Sequence, residues 1–306
     1  MAQLGALASL AAQLSPREPD WSCSAFRWQR RQTPLGSVGE LLAIRQPATL
    51  TLDALRNIDE ARRLVEQNTR QFVQGLPANN VLLTGARGTG KSSLVKACLP
   101  AFQAQGLRLI EVDKALLADL PELVERVAHR PERFIVYCDD LSFEQGEGAY
   151  KALKTVLDGS LAGQADNVLV YATSNRRHLM PELLSENLQA SHQADGEIHP
   201  GETSEEKVSL SERFGLWIAF YPFRQDDYLE IVASWMRHFG ADAADIDAAR
   251  ADALRWALER GSRSGRVGWQ FARDWAGRRG LKRCAAGAGK ALPGDAVPAG
   301  GTTGAA

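Results

Sequence analysis

Gly85-Ala86-Arg87-Gly88-Thr89-Gly90-Lys91-Ser92 fits the spacing G-x-x-x-x-G-K-[ST] at every position. Before it, residues 81–84 read as a short buried strand, and after it residues 92–105 read as a helix. Strand, glycine-rich loop and helix start together form a cradle for phosphate oxygens. The glycines let the backbone curl so that successive N–H groups point inward. The helix turns the positive end of its dipole toward the same anion. In this reading Gly85, Ala86, Arg87, Gly88, Thr89, Gly90, Lys91, Ser92 and Ser93 surround the phosphates. Lys91 is expected as an exposed loop side chain that reaches the β- and γ-phosphates, and the Ser92 hydroxyl as a ligand of Mg²⁺.

Working outward, apolar runs rich in β-branched and aromatic residues recur at 107–112, 134–138, 168–173 and 216–221. Helical patterns at 115–129 and 150–157 fall between them. Near-continuous apolar strands alternating with helices predict an α/β fold with a parallel five-stranded sheet covered on both faces. After Pro222 the strand signals stop. Residues 225–239, 246–260 and 266–278 read as three helices, parted by Gly240 and by 261–265. The expected organisation is an N-terminal extension over 1–50, an α/β nucleotide-binding domain over 51–222, and a small helical lid domain over 223–283. An Ala/Gly/Pro-rich tail at 284–306 holds too little apolar surface to offset its ordering entropy, and is expected to be disordered. Residues 187–207, acidic and without Lys or Arg before Lys207, read as a mobile surface insertion.

Composition narrows the function classes. Thirty-six basic against 37 acidic residues give a formal net charge of −1, which excludes a histone-like polycation or an acidic solvating tail. Cys23, Cys98, Cys138 and Cys284 show no C-x-x-C spacing and no His at metal-ligand intervals. A disulfide framework or zinc site is not expected, and a reducing cytoplasm is the expected location. The Ala- and Leu-rich residues 1–14 lack the basic start of a secretory leader and read as an amphipathic helix. No apolar run approaches the roughly 20 residues that span a bilayer, so no membrane association is expected.

A second acidic signal follows the strand at 134–138. Asp139 ends it, where a carboxylate holds the metal, usually through water. Asp140, one position further on, can orient or deprotonate a water attacking the γ-phosphate. The plainer alternative is that it only caps the following turn, for which Asp is well suited.

These motifs resemble the AAA+ ATPases. The resemblance rests on the phosphate loop, the acidic strand, Val168-Leu169-Val170-Tyr171-Ala172-Thr173-Ser174-Asn175 and Ser209-Leu210-Ser211-Glu212-Arg213-Phe214-Gly215-Leu216. More narrowly, Asp139-Asp140-Leu141-Ser142-Phe143 and Ala172-Thr173-Ser174-Asn175-Arg176-Arg177-His178-Leu179 resemble a bacterial AAA+ family of unknown function. The resemblance covers residues 50–280. It implies ATP and Mg²⁺ as cofactors, ATP hydrolysis, and a homo-oligomer, a ring or arc such as a hexamer, that remodels a client it does not identify. It further implies that Asn175 positions the attacking water. Arg213 would be an arginine finger reaching the neighbouring subunit's nucleotide; the plainer reading is an ion pair with Glu212 or Glu205. Arg266, with Arg263 in reserve, would be the lid's sensor of the phosphates. Ile58 would line the adenine pocket or simply belong to the core.

Two stretches keep a different class open, an ATP-controlled nucleic-acid loader or initiator. Residues 26–31 interleave aromatic and basic side chains, and residues 255–283 hold nine basic against two acidic residues. The plainer reading buries Trp28 in the core and makes Trp256, Phe271 and Trp275 the lid core. A phosphate-loop kinase is disfavoured by the Arg213 motif and the three-helix lid.

Overall fold

The computed structural model describes residues 16–34, 36–47, 50–142, 148–158, 165–175 and 210–280. The readings made for 1–14, for 187–207 and for 284–306 lie outside them.

A seven-stranded sheet organises the chain: β1 (Ala25–Thr33), β2 (Gly36–Ala43), β3 (Val81–Gly85), β4 (Leu107–Val112), β5 (Arg133–Cys138), β6 (Val168–Ser174) and β7 (Leu216–Phe220). Its order is β2-β1-β4-β5-β6-β3-β7. The five strands expected from the apolar runs are all present, adjacent and parallel. The expectation of five strands in the sheet is nonetheless corrected to seven. β1 adds parallel to β4, and β2 turns back antiparallel on β1.

The added hairpin is made by the stretch that carried a nucleic-acid reading. Alternation along β1 sends Phe26 and Trp28 into the core, where they are 0% and 1% exposed. Arg30 forms a two-pronged pair with Asp119 at 2.7 and 2.6 Å and also reaches Glu122. Trp28 Nε1 donates to the same Asp119 carboxylate at 3.0 Å. Arg27 pairs with Glu111, and Arg31 with Glu40. Aromatic anchors and paired guanidinium groups tie this stretch to the body of the sheet.

Helices cover the sheet: α1 (Asp59–Val73), α2 (Lys91–Phe102), α3 (Leu120–Val127) and α4 (Gly148–Asp158). One core lies on each face, with Ile110, Val136 and Val170 on one side and Val81, Leu83, Ile135 and Tyr171 on the other. Burial on both faces explains why β3, β5 and β6 read as unbroken apolar runs. After the sheet come α5 (Gln225–His238), α6 (Ala243–Glu259) and α7 (Gly265–Arg278). They enclose a separate core in which Phe271 and Trp275 are buried and Trp256 is partly buried. Among the described residues no helix is long and apolar enough to cross a membrane.

Topology decides where a site can lie. β3 sits between β6 and β7, so the chain leaving β3 crosses to β4 while β7 lies on the other side. In open parallel sheets a crevice forms beyond the carboxyl ends of the strands at such a reversal. Gly85, Asp139 and Asn175 all stand at those ends.

Candidate functional site

The loop after β3 is held by close backbone packing. Gly85 has φ +121°, and a Cβ there would lie 1.9 Å from the Phe220 carbonyl oxygen of β7, so no other residue fits. Thr89 Oγ1 donates to Ala86 O at 2.8 Å and closes the loop on itself. The loop ends at Gly90, also left-handed, from which α2 starts at Lys91.

Lys91 departs from the expectation of an exposed side chain: it is 5% exposed. Its ammonium donates to Gly85 O and Ala86 O, each at 2.7 Å, and to Asn175 Oδ1 at 3.2 Å. The side chain folds back over its own loop because three acceptors converge there to replace water. Burial, reinforced by the Arg87 guanidinium, holds its pKa below the usual lysine value; the carboxylates of Asp139 and Asp140 oppose that.

Asp139 is the hub of the neighbouring strand. Its Oδ1 accepts hydrogen bonds from Ser92 Oγ at 2.7 Å, Thr173 Oγ1 at 2.6 Å and the Asp140 amide at 3.2 Å. Burial alone would raise its pKa, but the Thr173 and Ser92 hydrogen bonds outweigh it and keep the group ionised. The Thr173 contact follows from register: Cys138 pairs with Ala172, so the next residues of β5 and β6 face one another. Cys138, buried beside Asp139, has its thiol pushed up to about 12, chiefly by burial, and stays neutral.

Asp140 adopts φ +51°, a left-handed conformation that Asp tolerates better than most residues. Its amide also meets Thr173 Oγ1 at 3.0 Å. Its carboxylate accepts from Asn175 Nδ2 at 2.5 Å and lies 3.9 Å from the Arg87 guanidinium. Asn175 therefore bridges Lys91 and Asp140, bringing the ends of β3, β5 and β6 into one polar cluster.

The flanks of the cluster involve residues far apart in sequence. A Cβ on Gly90 would stand 3.5 Å from Ile58 Cδ1, so Ile58 lies against the loop while also packing on the core. Gly88, at φ +74°, accepts a hydrogen bond from the Gly265 amide at 2.8 Å. The Ser264 cap and the Arg266 Cβ crowd the space that a Gly88 side chain would need. Arg266 is thus placed over the phosphate loop, and Arg263 precedes the cap. Arg213 is not part of this cluster. β7 runs parallel to β3 and begins opposite Val81, so Arg213 stands at the amino ends of the strands. That is about 13 Å of strand away from the loop at ~3.3 Å per residue. Its Nε donates to Asp158 Oδ1 at 2.6 Å, an ion pair with the end of α4 that the sequence reading did not name. Glu205, one of the partners expected for it, lies outside the described residues.

Three contributors escaped the sequence reading. Thr173 was legible in principle, since strand alternation puts it on the same face as Asn175. Ser264, which caps α7 through Val267 N, shows the local signal of an N-cap serine, whereas Tyr137, whose side chain lies by Ser92 and Asp139, carries none.

The donor set suits a hard divalent cation. A Ser hydroxyl and an ionised carboxylate are oxygen ligands of the kind Mg²⁺ takes, with phosphates and water completing the shell. In the observed pairing Ser92 spends its proton on Asp139, which leaves its oxygen lone pairs available. The buried Tyr137 hydroxyl lies beside these groups without a well-formed hydrogen bond.

The family model described as "Protein of unknown function (DUF815)" matches residues 21–279. No curated protein matches the chain. Among solved structures, the chain is similar to the RuvB Holliday junction branch migration motor of Thermotoga maritima. The two share 15% identity, covering 76% of this chain and 67% of that one with a TM-score of 0.50. A mutant form of the same RuvB matches at 11% identity over 77% and 68%, with a TM-score of 0.51. A more distant likeness, at 15% identity over 76% and 74% with a TM-score of 0.48, is to the FIGL-1 AAA domain in complex with ADP.

Proposed function

The chain belongs to the family of proteins of unknown function DUF815 and has the fold of the AAA+ ATPases, and from that premise we propose that it is a Mg²⁺-dependent ATP hydrolase working as an oligomeric remodelling machine. The observation that carries the reading is the junction at the carboxyl ends of β3, β5 and β6. There the buried Lys91 ammonium, the Ser92–Asp139 pair and the Asn175–Asp140 pair meet around one phosphate loop.

In this reading each group has a definable task. The loop amides and Lys91 bind the phosphates, whose charge replaces the carbonyl partners that Lys91 now uses. Ser92 and Asp139 would hold Mg²⁺, which would supply charge neutralisation to the phosphates. Asp140 orients a water and accepts its proton, and Asn175 fixes the carboxylate that does so. Ile58 lies where it can meet the base. Arg266 couples the start of α7 to the phosphates, so that the state of the nucleotide alters how the C-terminal helices dock. Arg213, remote from its own loop, supplies charge to a neighbouring copy's pocket. The domain division at Pro222 belongs to the same proposal: a nucleotide-binding body, followed by a lid that rests on Gly88 through Gly265.

The test is phosphate release by the full chain with Mg²⁺ and ATP, beside Lys91→Ala. The expected result is turnover in the parent and loss of nucleotide binding in the variant. Parent protein that binds no nucleotide, or a variant that binds it equally well, refutes the proposal.

A further inference from the structure

Tyr137 is the residue of the site that the motifs do not explain. Its ring is wholly buried in the core beneath α2, with the Lys96 ammonium 5.6 Å from the ring centroid. Phenylalanine would fill that volume equally well. Instead the ring carries a hydroxyl whose oxygen is buried and has no hydrogen-bond partner. An orphaned buried hydroxyl is costly, and in folded proteins such groups are few and call for a reason. Strand alternation puts Tyr137 on the same face as Asp139. Ser92 and Asp139 both lie within hydrogen-bonding reach of the phenol, but neither contact has the alignment of a well-formed hydrogen bond. The three well-formed hydrogen bonds that Asp139 accepts all fall on Oδ1, and the Tyr137 hydroxyl is a further, poorly aligned neighbour of the carboxylate.

We propose that Tyr137 is a positioning residue for the divalent cation: its hydroxyl donates into the oxygen shell of a cation held by Ser92 and Asp139. The inference rests on the function proposed above and adds to it a residue outside the phosphate-loop and acidic motifs. A donor fixed by a rigid aromatic ring in the core restricts how the shell can be oriented. Without a well-aligned partner in the protein, the hydroxyl is left able to donate to the shell when the cation is present.

Tyr137→Phe in the full chain tests this by calorimetry of ADP binding, with Mg²⁺ and with a chelator. The quantity read is the ratio of the two affinities. In the variant, metal-free affinity should stay within about twofold of the parent. The gain conferred by Mg²⁺ should shrink about tenfold, the scale of one hydrogen bond to a charged group. The nucleotide-free protein should melt about 2 °C or more higher, because an uncompensated polar group has been removed. A higher melting temperature with an unchanged Mg²⁺ gain would make the hydroxyl a mere packing defect and overturn the inference. So would an equal fall in both affinities, which signals general damage to the pocket. Parent protein that binds no ADP refutes the function itself; binding with an unaltered metal ratio refutes the role of Tyr137 alone.

Discussion

Gly88→Ala tests the contact between the phosphate loop and the start of α7. Two costs can be separated. The backbone at φ +74° is left-handed, which for alanine costs about 1–2 kcal/mol wherever the C-terminal helices sit. The new Cβ would lie 2.8 Å from both Ser264 Cβ and Oγ, against an optimum of roughly 3.5–4.0 Å between carbons. Relieving that overlap means shifting the start of α7 by about 1 Å, with the bond from Gly265 N to Gly88 O stretched or lost. Overpacking of this kind costs about 1–3 kcal/mol. The first cost should lower global stability in denaturant titration. The second should appear as ~5–150-fold faster amide exchange in peptides covering 264–271, since about 1.4 kcal/mol is one decade. Ser264→Gly removes the clashing atoms, and glycine at a helix N-cap costs only a few tenths of a kcal/mol. The double variant Gly88→Ala/Ser264→Gly should therefore recover most of the local cost and none of the backbone cost. Additivity of the two substitutions within ~0.5 kcal/mol would refute the contact.

Asp140→Asn should keep nucleotide affinity and the left-handed backbone while slowing phosphate release at least about tenfold; unchanged turnover would reduce Asp140 to a turn residue. Arg213→Ala should bind ATP but hydrolyse it poorly, and mixing it with Lys91→Ala should restore part of the activity at concentrations that permit assembly; no rescue, with assembly confirmed by light scattering, sinks a role across subunits. Asp119 ties the N-terminal hairpin to the body, with its pKa held below its ordinary 3.8 chiefly by the Arg30 hydrogen bond and further by Trp28. A depressed carboxylate contributes stability that is present above 3.8 and lost as pH falls through its folded value, so Asp119→Asn should flatten the acid limb of the stability curve below about pH 4. An acid limb identical to the parent's would show that the pair contributes nothing.

What was legible from the chain alone followed local rules. Residues 81–105 state a strand, a glycine-rich loop and a helix start in the order their backbone needs. The five apolar runs state a parallel sheet because strands buried on both faces cannot alternate. The hairpin over 25–43 was not legible as part of that sheet. Its alternating aromatics and arginines do not reveal a sheet strand, and only Asp119 and β4, some 80 or more residues away, place it there. Lys91 shows the same division. Its identity, its place in the motif and two of its acceptors are local, but the third, Asn175, arrives 84 positions later at the end of β6. Asp140 was visible as an acid after a strand, whereas its left-handed backbone and its bond to Asn175 required β5 and β6 in register. Ser264 shows only the general signal of a helix cap, and Tyr137 carries no motif. They matter because packing sets the start of α7 on Gly88 and the Tyr137 hydroxyl beside Ser92 and Asp139. Hydrogen-bond capacity belongs to each residue type, but whether a group finds a partner, or is left waiting for one, is decided by chain segments far away in sequence.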